Sequence, residues 1–361
     1  MVYKSLGLPL ERLLPGLGQA EDQLARLDER VRLSPVGPGF AARADFLDTA
    51  ASMWIAGELV HVEDLVLHDA HMDARTPTHE LTLAHTILRA RRRIMREAPD
   101  WALSPTGMAA LISGAGDDGL QMTAPERRAE EEAILPDLVD PLAEALSEVE
   151  AVLARTQRLV AGQGAEPLSV GELVIRDADW NRSERLAEWQ QMKAEADALP
   201  PTLGAALLWD GWETLAPLER QHWLGPLLIS AYLRGRGKVT SHLLGLNMGL
   251  KPIPRDRRRS ADRTMRLLAF LEALSGAAET GLEALARLNQ AKAQMERRLT
   301  QRRRSSSLPQ VIELLLARPI VSAGMVAAAV NITPRGALNL IGELGVREMT
   351  GRGRYRGWGV G

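Results

Sequence analysis

The 361-residue chain contains no cysteine, which excludes disulfides and thiolate chemistry and suits a reducing compartment. Aromatic residues are scarce at 4%, so its cores must be built mainly from aliphatic side chains. No apolar run approaches the roughly 18 residues needed to cross a bilayer. The first residues also lack the basic, apolar, small-residue order of a secretion signal, so a soluble cytoplasmic protein is expected. No G-x-S-x-G motif is present, which leaves hydrolase chemistry without a visible nucleophile. One-signed charge is missing as well, because the formal net charge is only -2. Against these absences stands an abundance of Ala, Leu, Arg and Glu with few β-branched runs before the C-terminus, a composition that predicts a mainly α fold.

The most informative segment is 321–345, VSAGMVAAAVNITPRGALNLIGELG, whose spacing predicts a helix-turn-helix. Ser322 is placed to cap a short helix with Met325, Val326 and Ala329 on one face, and Asn331 tolerates the left-handed backbone of a tight turn. Thr333 is placed to cap a second helix that starts with Pro334 and ends at Gly345. Ala337, Leu340, Ile341 and Leu344 form its buried stripe, which leaves Arg335 and Asn339 outside, one turn apart. Arginine can fork onto guanine and asparagine onto adenine in the major groove, so these are residue types a groove-reading helix presents. Gly336 would let the helix backbone approach a duplex closely. Residues 346–360, VREMTGRGRYRGWGV, read as two short strands around an arginine-tipped turn, a wing on which Arg352 and Arg354 would meet phosphate or the minor groove. Between 297 and 361 there are eleven arginines against three acids, a local basic surplus in a near-neutral chain.

The rest of the chain reads as helices broken by proline and glycine. Residues 1–160 are expected to form an N-terminal helical region, 168–304 a helical core, and 305–361 the winged helix-turn-helix domain behind a hinge at Ser305-Ser-Ser-Leu-Pro309. The 227–233 run LLISAYL predicts a buried central helix. Segment 126–150 carries nine acids against two arginines and reads as a solvated helix face.

Two constellations invite chemistry. Gly114-Ala-Gly116-Asp-Asp-Gly119 matches the dinucleotide-binding G-x-G-x-x-G, but Pro125 follows too soon for a crossover helix and two aspartates would repel a pyrophosphate, so a loop is expected. Five histidines, His61, His68, His71, His79 and His85, are interleaved with Asp64, Asp69, Asp73 and Glu80. His68 and His71 would share one side of a helix, but no second pair completes a metal site. Neither a metal nor another cofactor is therefore expected.

Three regions resemble the Fic superfamily in the arrangement where a helical core precedes a winged helix. Ser52-Met-Trp-Ile55-Ala56-Gly57 looks like the S-x-x-I-E-G helix with which many Fic proteins block their own nucleotide site. The 224–233 run LGPLLISAYL is similar to the long apolar helix behind the catalytic loop, and Arg318-Pro-Ile-Val321 to the opening of the appended domain. More closely still, the chain resembles an alphaproteobacterial family of unknown function that ends in a helix-turn-helix DNA-binding domain. The Fic resemblance implies nucleotide transfer through H-P-F-x-x-G-N-G-R, yet the corresponding stretch 211–219 reads GWETLAPLE, without histidine, G-N-G or arginine. The regulatory glutamate is replaced by Ala56, so Ser52, Ile55, Ala56 and Gly57 form a degenerate motif with nothing left to regulate. The expectation is a sequence-specific transcriptional regulator that binds double-stranded DNA as a homodimer, without membrane attachment or transferase activity. A Fic-like transferase with an atypical loop, a metal enzyme and a helical protein-interaction module are the alternatives.

Overall fold

The longest helix, 37 residues from Arg263 to Leu299, is a spine on which helices from both ends of the chain pack. The computed structural model describes residues 7–73, 76–117, 181–218, 221–299, 307–350 and 356–360. In chain order the helices are α1 (Leu10–Leu33), α2 (Gly37–Ala56), α3 (Val62–Asp69), α4 (His79–Arg96) and α5 (Pro105–Asp117), followed by α6 (Arg182–Asp197), α7 (Pro201–Leu215), α8 (Leu224–Gly235), α9 (Leu246–Leu250), α10 (Arg255–Arg258) and the spine α11 (Arg263–Leu299). The C-terminal lobe adds α12 (Leu308–Ala317), β1 (Val321–Ser322), α13 (Ala323–Val330), α14 (Pro334–Leu344), β2 (Arg347–Glu348) and β3 (Gly357–Gly359). The fold is mainly α, as composition predicts, and no described helix is long and apolar enough to cross a membrane.

Helix α1 lies along α11 and buries Leu13, Ala20, Leu24, Leu27 and Val31. Helix α8 is buried from Leu224 through Leu233, as its unbroken apolar run predicts, and α7 is nearly as enclosed. The few aromatics are spent at this centre. Trp189 meets Trp212 edge-on at 5.2 Å, and Trp209 stacks on Phe270 at 5.6 Å. Close approach of α9 to the spine depends on Gly249, where a Cβ would come within 1.9 Å of the Ala273 carbonyl oxygen.

Two buried charge sites lock the helices together. Arg91 on α4, fully buried, donates from Nε to Asp45 (3.0 Å), from Nη1 to Asp48 and from Nη2 to the Leu243 carbonyl (3.0 Å). Asp48 also accepts from Asn247 Nδ2 and the Met248 amide, both at 3.0 Å, so α2, α4 and α9 converge on one carboxylate. On the other side, buried Asp210 of α7 takes Arg263 Nε at 3.0 Å and Arg266 Nε at 2.7 Å from the start of α11.

Several local expectations are corrected. Helix α2 begins at Gly37 within a proline- and glycine-rich stretch, because Pro38 fits a first helical turn. Helix α5 runs through Gly114 and Gly116 to Asp117, where a loop was expected; the Ala- and Leu-containing stretch ahead of them carries the helix on. The acidic stretch 126–150 and the rest of 118–180 lie outside the described residues. So do Ser305 and Ser306 of the expected hinge, whereas Pro309 already stands in the first turn of α12.

Candidate nucleic-acid interface

The lobe forms as its local signals dictate. Ser322 Oγ accepts from the Met325 amide at 3.2 Å and Thr333 Oγ1 from the Gly336 amide at 3.2 Å, the two N-caps that spacing predicts. Asn331 (φ 53°) supplies the left-handed residue of the turn and Gly345 (φ 60°) ends α14. Inside, Met325 and Val326 of α13 meet Ala337, Ile341 and Leu344 of α14, closed off by Leu308, Val311, Ile312, Leu315 and Leu316 of α12. The wing is an antiparallel sheet in the order β1-β3-β2, with Val321 opposite Trp358 and Glu348 opposite Trp358 on its other edge. Arg356 pairs across the strands with Glu348 at 2.6 Å and lies 5.1 Å from the Trp358 ring centroid.

What remains outside is the face that carries the expected DNA-reading residues. Arg335 and Asn339 are exposed and make no hydrogen bond among the described residues. Leu338, 40% exposed, and Gly342 extend the same face, a pair the sequence reading passed over although they follow Arg335 at i+3 and i+7. Gly336 sits in the first turn, where a Cβ would touch nothing closer than Thr333 Oγ1 at 3.4 Å, so packing within the protein does not demand a glycine there. Ser322 is half-buried, with its hydroxyl occupied by the cap. Arg352 and Arg354 lie outside the described residues. Beside Leu338, a cavity of about 380 Å³ opens between Leu67 and Met72 and the wing residues Thr350 and Trp358.

The arginine surplus divides once the fold is seen. Arg298 donates to the Leu344 carbonyl at 2.5 Å, seated where a Cβ on Gly345 would collide with it, and Arg318 pairs with Asp69 at 3.1 Å. Arg335 and Arg347 stay exposed.

The lobe is anchored by a residue no motif marked. Arg43 of α2 reaches the end of α12 and donates to the carbonyls of Leu315 (3.2 Å), Arg318 (2.8 Å) and Pro319 (3.5 Å), and to that of Val360 beyond β3. Burial, with repulsion from Arg287, lowers its pKa to about 10, so it remains a cation at neutral pH. Beside it, Arg92 and Arg318 both hold Asp69 and both lie over the Phe46 ring, at 5.1 and 5.7 Å. Burial pushes the Asp69 pKa up, but hydrogen bonds from His85 and Arg92 and the charges of both arginines outweigh it and hold the carboxyl well below its ordinary value.

Two histidines of the cluster stand beside this junction. His85 Nε2 stands 3.5 Å from Asp69, His68 Nδ1 binds Asp73 at 2.9 Å, and the two rings meet edge-on at 4.8 Å. The expectation that His68 and His71 share a helix side is overturned. Helix α3 stops at Asp69 and His71 takes the left-handed position (φ 54°) of a Schellman closure, with the Met72 amide donating to the Leu67 carbonyl at 2.9 Å. Among the described residues no group of three or more histidines and carboxylates is disposed to hold a metal.

Of the degenerate motif, Ser52 is buried in α2, Ile55 half-buried and Ala56 exposed. Gly57 (φ 93°) closes the helix, with the Glu58 amide donating to Met53 at 2.9 Å. Residues 211–215 of the stretch compared with the catalytic loop are the last turn of α7, and Trp212 is buried there.

Two segments of the chain match known family models. Residues 308–360 match the model of a helix-turn-helix DNA binding domain, which spans α12 through β3. Residues 174–300 match a protein family of unknown function, DUF1612. The whole chain aligns with the uncharacterized protein y4cF of Sinorhizobium fredii, 42% identical over 385 aligned residues that cover 100% of both chains.

Proposed function

Because the chain belongs to the family of the Sinorhizobium fredii protein y4cF and ends in a helix-turn-helix DNA-binding domain, we propose that it is a cytoplasmic, sequence-specific transcriptional regulator that acts on duplex DNA as a homodimer. The observation that carries the reading is the outer face of α14. It presents Arg335 and Asn339 with their donors and acceptors unspent among the described residues, beside a glycine that internal packing does not require. In this reading α14 enters the major groove, Thr333 and Gly336 meet phosphate at its N-terminus, and Arg335 and Asn339 read base edges. Arg352 and Arg354 contact the backbone from the wing, so their loss weakens all sequences alike and flattens the salt dependence. A single module of this size covers only about 600–1,000 Å² of protein surface on DNA, which favours two copies on a two-fold site.

The body is read as a degenerate Fic-like core without nucleotide transfer. Support comes from the helical, tightly packed 211–215 segment, in which Gly211 faces Met192 where a phosphate cradle would need an open loop. Incubation of the purified protein with labelled ATP is expected to label neither the chain nor other proteins, and efficient transfer would overturn that part. The DNA-binding part is tested by gel shift of random genomic fragments with the full chain, followed by sequencing of those retained. Retention of discrete sites, lost in Arg335→Ala, is expected. Failure to retain any fragment, or equal retention by the variant, would defeat the reading.

A further inference from the structure

The cavity beside Leu338 is lined by side chains from distant parts of the chain. Leu67 and Met72 line it from α3 and the turn behind, Ile320 and Trp358 from the wing sheet and its approach, and Leu338 from α14. Leu338 is left partly in water, whereas Ile320 and Trp358 are buried. Glu63, in the first turn of α3, brings a carboxylate to the same cavity. It is half-buried and has no hydrogen bond or ion pair among the described residues. Arg356, the other charged residue among the described residues lining the cavity, spends its guanidinium on Glu348 at 2.6 Å.

The plain alternative is an ordinary groove with an acid that complements the positive end of α3. Asp64 stands in the same first turn and is exposed, so the helix end has its acid without Glu63. A carboxylate set beside leucine, methionine and tryptophan is solvated less well than one in open water, and a cation that joins it offsets that cost. The apolar walls also stay apart, although protein interiors seldom leave a void larger than a water molecule. Side chains that line such a void forfeit the dispersion contacts that closure, or a ligand, would supply.

We propose that this cavity binds a small apolar ligand bearing one ammonium group, its body against Leu67, Met72, Leu338 and Trp358 and its ammonium on Glu63. About 380 Å³ lies within the range of small-molecule sites, which are mostly apolar with a few placed polar groups. An ammonium donating to a carboxylate makes a charge-assisted hydrogen bond, stronger than a neutral one. Met72 is unbranched and polarizable, and so adapts to the outline of an aromatic or aliphatic body. Carboxylate and phosphate ligands are disfavoured, because Glu63 repels them and Arg356 is already paired. The site does not depend on Arg335 or Asn339 and goes beyond the DNA-binding reading.

The test is titration of the full chain with phenethylamine, 2-phenylethanol and 3-phenylpropionate, which share a phenyl body and carry a cation, a neutral hydroxyl and an anion. Ligand-detected NMR and isothermal titration read the binding. Saturable 1:1 binding of phenethylamine is expected, with 2-phenylethanol at least fivefold weaker and 3-phenylpropionate weaker still. Glu63→Gln is expected to lose at least fivefold in phenethylamine affinity and to bind the amine and the alcohol alike, whereas Glu63→Asp keeps the preference for the amine. Leu338→Ala, at a partly exposed site where folding is little affected, is expected to weaken all three ligands by threefold or more. Absence of saturable amine binding overturns the proposal, as does unchanged affinity in both Glu63→Gln and Leu338→Ala. Equal or tighter binding of 3-phenylpropionate also overturns it, because the counter-ion would then be a cation such as Arg356.

Discussion

Arg91 and Arg335 are the same residue type on two amphipathic helices, yet one is fully buried with its guanidinium bound to two carboxylates and a carbonyl, and the other is exposed with none of its donors engaged among the described residues. The difference teaches that an arginine's role follows from whether the fold supplies acceptors. Where it does, as at Asp45 and Asp48, the guanidinium joins helices. Where it does not, the donors are left for a partner. Arg43 shows an intermediate form, a cation surrounded by backbone carbonyls that fastens the DNA-binding lobe to α2. The two arginines therefore respond differently to substitution, one through stability and the other through binding.

The largest effect is expected at Arg91. Arg91→Leu leaves Asp45 and Asp48 buried without their cation, and breaking a buried pair by removing one partner costs about 3–5 kcal/mol. Urea unfolding followed by circular dichroism is expected to show a loss of that size. An unchanged midpoint would remove the contrast between the two arginines.

Next in size is a pH effect at His242. Burial lowers its pKa to about 4 from 6.5, with the charge of Asp28 opposing the shift and that of Arg91 adding to it. The unfolded chain binds this proton below about pH 6.5 and the folded chain only below about pH 4. The stability associated with the neutral ring is thus complete above pH 6.5 and lost as pH falls toward 4, by up to about 3 kcal/mol. Unfolding curves at about pH 7 and about pH 5 are expected to diverge in the unaltered protein and to converge in His242→Leu. An equal pH dependence in both would place the titration elsewhere.

At Arg335 the expectation reverses. Arg335→Ala and Asn339→Ala are expected to leave stability within about 0.5 kcal/mol, as exposed substitutions do. Their cost falls on binding, at about 1–3 kcal/mol of discrimination at one base position each. Competition gel shifts with single-base site variants read that directly. Were either substitution to destabilise the fold as Arg91→Leu does, the outer face of α14 would be structural.

These contrasts also show what could be read from the chain alone. The helix-turn-helix was legible because its signals are local: Ser322 and Thr333 cap within three residues of themselves, Asn331 and Gly345 set backbone sign, and the α14 stripe repeats with the helical period. Strand β1 was not legible, because Val321 finds its partner, Trp358, far along the chain. Arg43 gave no signal, since an arginine among alanines looks solvated until α12 brings its carbonyls within reach. His71 misled because Ala70 favours helix, whereas the chain closes there through backbone hydrogen bonds that a non-glycine residue tolerates at some strain.

The smallest expected effect separates folding from function most cleanly. Gly336 lies within a helix, where alanine is preferred by up to about 1 kcal/mol, and an added methyl meets only ordinary contacts at 3.4 and 3.5 Å. Folding alone would therefore favour alanine at this position slightly. If the glycine is instead there so that the helix backbone can approach a phosphate, the same methyl occupies the space the duplex needs. Gly336→Ala is then expected to raise the unfolding midpoint slightly while weakening binding to every site, because the obstructed contact carries no sequence information. A variant that gains stability and keeps full affinity would show that the first turn of α14 does not approach the DNA backbone closely, and that the groove-reading face begins further along the helix.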